Sequence, residues 1–223
     1  MKNKYIYRSR ISEKKFRQIL KLFCMDIEAK KVAELTNVNR MTINRIFNRT
    51  RIRMAQDCQL SGPFESGEIE LDESYFGPKR QRGKRGRGAG NKTIVFGILK
   101  REGKIFTQII KNCSHSEIMP IIERMIKRDC TIYTDGWPVY DALVDFGYKK
   151  HYKVRHSQNE FANGTNHING IESFWSFCKN RIAKFHGIRK DKFLLHLKES
   201  EFRHNHRDIL YVSLLKLIKN NPL

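Results

Sequence analysis

The chain has 223 residues, room for one medium domain or a small domain joined to a larger one. Lys and Arg number 44 against 23 Asp and Glu, a formal net charge of +21, and 39% hydrophobic with 11% aromatic residues suffice for a core and exclude a disordered basic tail. No apolar run reaches the roughly 20 residues of a transmembrane helix, and the start, MKNKYIYRSRISEKKF, has no apolar stretch of the secretory kind. The expectation is therefore a cytoplasmic, non-membrane protein with a polyanionic partner. Nucleic acid is favoured, because the positive charge runs through the whole chain rather than along one amphipathic helix. The five cysteines, Cys24, Cys58, Cys113, Cys130 and Cys178, show no CxxC and no zinc-ligand spacing, and read as buried or half-buried thiols.

Residues 12–55 read as helical. Phe16, Ile19, Leu20 and Phe23 recur at the spacing of one buried helix face. A short helix follows over residues 29–35, packing through Val32, Ala33 and Leu35, then a polar break over residues 36–39. The next helix, over residues 40–47, has Asn39 as its N-cap and packs through Ile43, Ile46 and Phe47. That leaves Arg40, Thr42, Asn44, Arg45, Asn48 and Arg49 facing outward. Helix, tight turn and polar-basic helix outline a helix-turn-helix, and Arg and Asn can pair bidentately with guanine and adenine edges. A DNA-binding domain is predicted over residues 1–55 and a linker over residues 56–67, where Gly, Pro and Ser occur without periodicity.

The pattern then changes to period two. Strands are predicted over residues 68–76, 93–99, 104–110, 131–135 and 149–154, with helices over residues 119–126, 138–146, 166–184 and 190–205. Three strands, then alternating helix and strand, then helices imply a mixed sheet flanked by helices, an α/β domain over residues 68–206 with a C-terminal tail over 207–223. The stretch from Pro78 to Lys92 carries seven basic residues and no acid. Arg82, Lys84, Arg85 and Arg87 at its centre are predicted to clamp DNA phosphates, since unpaired like charges favour an anionic partner. Trp137 and Trp175 read as core residues, and His156, His167 and His186 flank the start and end of the helix 166–184.

In so basic a chain, acids at strand ends stand out. Asp72 and Asp135 both lie at such places, and Glu172 sits on the helix 166–184. Carboxylates converging from adjacent strands can hold Mg²⁺, which takes few protein ligands and leaves positions for water and phosphate. Glu68, Glu70 and Glu73 are alternatives to Asp72 on pattern alone. On the helix, Ile171, Phe174, Trp175, Cys178 and Ile182 form an apolar face, while Asn169, Glu172, Ser176 and Lys179 share another. Glu172 and Lys179, two turns apart, can both face one phosphate.

The segments GEIELDESYFG, GKRGRGAGNKTIVFGILKR, YTDGWPVYDAL and HINGIESFWSFCKNRIAKFHGI resemble the DDE transposases of bacterial insertion sequences, in particular the IS-fifteen-ninety-five (ISXO-two-like) group. The likeness covers roughly residues 62–206. It implies a ribonuclease-H-like catalytic fold behind a helix-turn-helix domain. It further implies Asp72, Asp135 and Glu172 as ligands of two Mg²⁺ or Mn²⁺ ions, with Lys179 as the accompanying basic residue. In this group Asn is often the functional residue at the third position, and the chain offers Asn169 as well as Glu172. The implied activity is cleavage and strand transfer at insertion-sequence ends. The implied partners are terminal repeats and target DNA, with the protein a homo-oligomer on DNA in the bacterial nucleoid. Two other readings stay open: a helix-turn-helix regulator, and a ribonuclease-H-type nuclease.

Overall fold

A computed structural model describes residues 3–77, 92–148, 150–154, 167–185 and 187–223. The chain forms two compact units, residues 1–60 with 191–223, and residues 61–190.

The first unit is helical. Helices α1 (Glu13–Cys24), α2 (Ala29–Thr36), α3 (Arg40–Gln59), α6 (Lys190–Asn205) and α7 (Leu210–Asn220) contribute to it. Ser12 starts α1 by accepting the Lys15 backbone N–H, and the expected face of Phe16, Ile19, Leu20 and Phe23 is buried. Asn37 takes the left-handed conformation that ends α2, and Asn39 Oδ1 accepts the Met41 N–H at 2.8 Å to begin α3. Val32 is fully buried, but Leu35, predicted to pack, is 53% exposed and Thr36 is buried in its stead. Helix α3 continues to Gln59, so the predicted linker 56–67 begins inside it. Thr50, Met54 and Cys58, four residues apart, extend its buried stripe through an otherwise polar stretch.

The division after residue 206 also differs. Phe202, Leu214 and Ile218 join Phe16, Phe23 and Phe47 in one core, so residues 207–223 form a packed helix rather than a tail. Arg203 anchors α6 by donating to the carbonyls of Phe23 (2.6 Å) and Cys24 (2.9 Å), which end α1 and have no intrahelical donor. Its charge is matched by buried Glu199, which also receives Arg51 at 2.6 Å.

The second unit is a mixed sheet, β1 (Glu68–Phe76), β2 (Thr93–Lys100), β3 (Ile105–Ile110), β4 (Thr131–Asp135) and β5 (His151–Val154), in the order β3-β2-β1-β4-β5. β2 runs antiparallel to β1 and β3, while β4 is parallel to β1 and β5. This is the ribonuclease-H-like arrangement that the resemblance implies. Ile69, Leu71, Phe96, Ile98 and Ile132 face α4 (His115–Met125) and the 3₁₀ turn Pro138–Leu143. The helix predicted over residues 138–146 is thus only that tight turn. The opposite face is covered by α5 (Asn169–Ala183). Phe64, inside the predicted linker, is held to this unit by backbone bonds with Met125 and Lys127. No helix among the described residues is long and apolar enough to cross a membrane.

Candidate active site

The sheet register brings the two aspartates together. Along the β1–β4 pair, Glu68 lies opposite Thr131 and Leu71 opposite Thr134, an offset of 63 residues. One step further the same offset sets Asp72 beside Asp135, one interstrand spacing of about 4.8 Å away and on the same face. Asp72 lies opposite Gly97 on its other side. A Cβ at Gly97 would stand 2.6 Å from the ring of Trp175, so only glycine lets α5 come this close. The indole of Trp175 is 4% exposed, a core position as expected, but its Nε1–H also donates to Asp72 Oδ2 at 3.0 Å.

Burial lifts the Asp72 carboxyl from its ordinary 3.8 to about 6. The negative charges of Asp135 and Glu172 add to the rise, while hydrogen bonds from the Glu73 backbone and Trp175 oppose it. Each of the three carboxylates is therefore within electrostatic reach of Asp72. Asp135 Oδ1 also accepts the Trp137 N–H at 3.3 Å, tying the loop after β4.

The N-terminus of α5 is set by a network that sequence pattern did not single out. Glu70, fully buried on the Asp72 face of β1, accepts the Ile171 N–H at 2.8 Å through Oε2. Its Oε1 receives Arg101 Nε at 2.9 Å, and His167 Nδ1 stands 3.7 Å away. Arg101 also donates to Glu68 and to the His167 carbonyl, and lies 3.8 Å over the Tyr133 ring. Tyr133 closes the circuit by donating to Glu68 at 2.7 Å. Gly170 allows the approach, since a Cβ there would lie 2.7 Å from Leu99 and 2.9 Å from Glu70. On the other face, buried Tyr140 donates to Glu73. Burial first, then the charges of Glu73, Asp135 and Asp72, keep its phenol protonated far above the usual range. The available signal for Glu70 was its two-residue step from Asp72, which places both on one strand face.

Asn169, Glu172, Ser176 and Lys179 are exposed on α5, as the helical spacing predicts, and Ile171, Phe174, Trp175 and Cys178 are buried. The Lys179 ammonium sits 5.9 Å from the Phe76 ring centroid, at the end of β1. In the helical unit, Arg40, Asn44 and Arg45 are exposed on α3 and Thr42 is half-buried. Arg82, Lys84, Arg85 and Arg87, with His156 and His186, lie outside the described residues. All five cysteines are free thiols, with Cys58, Cys130 and Cys178 buried.

Among the described residues, no three His, Cys, Asp or Glu side chains are gathered closely enough to ligate one ion as they stand. The donor chemistry nevertheless fits a hard divalent cation. Three carboxylates share one neighbourhood, and Asp72 holds its proton to about pH 6 against two further negative charges, a cost that a cation would remove.

Residues 64–205 match the ISXO2-like transposase domain, well over half of the chain. The chain belongs to the ISXO2-like transposase family. A transposase-like protein of Haemophilus influenzae is 39% identical over 121 residues, 54% of this chain and 97% of that protein. A protein of the transposable element ISH50 of Halobacterium salinarum is 31% identical over 157 residues, covering 63% of this chain. The chain spans about half of that second relative, 53% of its length. Among solved structures, the Mos1 strand transfer complex aligns with 97% of this chain and 80% of its own, at 12% identity and a TM-score of 0.33. The Mos1 transposase paired-end complex with left transposon end aligns with 96% and 80%, at 13% identity and a TM-score of 0.32.

Proposed function

We propose that this ISXO2-like transposase cuts DNA at insertion-sequence ends and joins the ends to target DNA, with Asp72, Asp135 and Glu172 as its metal ligands. The observation that carries this reading is Asp72 beside Asp135, beneath the helix that bears Glu172, with its carboxyl raised to about 6. Strand cleavage and strand transfer are both in-line displacements at phosphorus. Two bound Mg²⁺ or Mn²⁺ ions would supply activation of the attacking oxygen and stabilisation of the leaving one. The chain's own residues do the positioning. Trp175 fixes one oxygen of Asp72, Glu70 fixes the first turn of α5, and the pair thereby sets Glu172 relative to Asp72. Above about pH 6 Asp72 is ionised and able to take up a cation. Lys179, on the same helix face as Glu172, binds the phosphate that the metal site would engage.

For the third ligand Glu172 is preferred to Asn169, because a carboxylate holds a hard cation better than an amide. The exposed face of α3, with Arg40, Thr42, Asn44 and Arg45, together with the basic segment containing Arg82, Lys84, Arg85 and Arg87, is assigned to duplex DNA, on which the protein works as a homo-oligomer.

The test is incubation of the purified chain with supercoiled DNA carrying its own flanking ends, with Mg²⁺ or Mn²⁺, and mapping of nicks and joints. Asp72→Ala and Asp135→Ala should each abolish cleavage and joining while duplex binding persists. Either variant cutting at the wild-type rate refutes the site. Normal cutting by Glu172→Gln with loss in Asn169→Ala would move the third ligand to Asn169. Binding with no metal-dependent cutting would make the protein a regulator, and cutting of RNA–DNA hybrids without joining would make it a nuclease.

A further inference from the structure

The helical unit contains a pocket of about 100 Å³ lined by Arg8, Ser9, Thr42, Arg45, Arg49 and Leu223, with Ile6 and Ile46 among its apolar walls. That volume is several times the roughly 10–15 Å³ that one water needs, so a small tetrahedral group has room. Three guanidinium groups and two hydroxyls converge on it, and no Asp or Glu side chain lines it. None of the three arginines has an acidic partner among the described residues. Elsewhere in the same unit arginines are paired, as Arg51 and Arg203 are with Glu199.

The geometry is also built rather than incidental to a loose end. Tyr7 N–H donates to the Leu223 carbonyl and Leu223 N–H to the Tyr5 carbonyl, both at 2.8 Å, which pins the segment carrying Arg8. Arg8 itself holds a left-handed backbone, φ 50°, a conformation uncommon for a residue with a side chain. Its guanidinium packs 5.1 Å over the exposed Tyr7 ring. Unpaired arginines around a small pocket match the planar, forked recognition of phosphate oxygens.

We infer that this pocket seats one phosphodiester group of the DNA backbone and so sets the register of α3 on the duplex. The inference rests on the DNA-binding role proposed above and sharpens it. Arg45, a base-reading candidate by pattern, becomes a phosphate ligand with Arg8 and Arg49, leaving Arg40 and Asn44 to reach base edges. Backbone contacts of this kind fix position and carry no sequence information.

Two measurements on the full chain test it. First, ¹⁵N-labelled protein is titrated with inorganic phosphate. Saturable shifts at the Ser9 and Thr42 amides and the Arg45 and Arg49 Nε–H groups are expected, and should vanish in the double variant Arg8→Gln/Arg49→Gln. Their absence in the wild type overturns the pocket. Second, affinity for an end duplex and a scrambled duplex is measured across a salt series. The double variant should weaken both equally and flatten the log K against log salt slope by about 0.9 for each arginine lost. An unchanged slope, or loss confined to the end duplex, overturns the phosphate assignment. Wild-type protein that answers to inorganic phosphate but binds neither duplex overturns both the DNA assignment and the role on which it rests. Duplex binding with a silent pocket overturns the inference alone.

Discussion

Replacing Asp72 by Asn should make the protein more stable and inactive at once. The Asp72 carboxyl is raised from 3.8 to about 6, chiefly by burial. The unfolded chain therefore ionises this group at lower pH than the folded one does. Its contribution to stability is complete below about pH 3.8 and is lost as pH rises through about 6. At pH 7.5 the folded state bears the whole cost, about 3 kcal/mol at roughly 1.36 kcal/mol per pH unit. Asparagine keeps an oxygen to accept the Trp175 indole N–H and brings no charge into the site. With local relaxation and screening, Asp72→Asn should gain about 1–3 kcal/mol at pH 7.5, falling to about a third of that at pH 4.5. Urea unfolding followed by tryptophan fluorescence reads the relevant unit, because Trp137 and Trp175 both lie within residues 61–190. Millimolar Mg²⁺ should stabilise the wild type and not the variant, narrowing the gap at pH 7.5. An Asp72→Asn protein no more stable than wild type at pH 7.5, or an advantage that does not shrink toward pH 4.5, would refute the electrostatic account of the site.

Gly97→Ala places a methyl 2.6 Å from the Trp175 ring and should cost about 1–3 kcal/mol, with a shift in tryptophan emission as the indole moves off Asp72. Unchanged emission and stability would show that α5 does not rest on this glycine. Glu70→Ala leaves Arg101 half-paired and the first turn of α5 uncapped, and should cost about 3–5 kcal/mol by denaturant unfolding, as loss of one partner of a buried pair does. A cost below about 1 kcal/mol, the surface-pair range, would refute the capping role. Leu214→Ala, in the segment that reads as a tail, should destabilise the helical unit by about 2–5 kcal/mol in thermal unfolding, and a neutral effect would return α7 to tail status.

Much of the architecture is legible in the amino-acid order because it is local. The faces of α1 and α5 follow from helical spacing, the N-caps at Ser12 and Asn39 from side chains that can accept a backbone N–H, and the strands from alternation. Asp72, Asp135 and Glu172 stand out because isolated acids in a chain of charge +21 are conspicuous. Other features depend on partners distant in sequence. Periodicity stops short in α3 because Thr50, Met54 and Cys58 lie within polar residues, and their burial requires the core that α6 and α7 complete. Leu35 faces outward for the complementary reason, since no element covers it among the described residues. Residues 207–223 are polar enough to read as a tail until Leu214 and Ile218 meet Phe16 and Phe47.

The site divides in the same way. Residue types alone nominate the carboxylates, since their chemistry is intrinsic. Their meeting is a matter of parallel register, the 63-residue offset between β1 and β4, which pairing across the sheet decides. The elevated Asp72 carboxyl and the clamp of Glu70 and Arg101 on α5 exist only after folding. Both arise from desolvation and close approach, and a linear chain in water has neither.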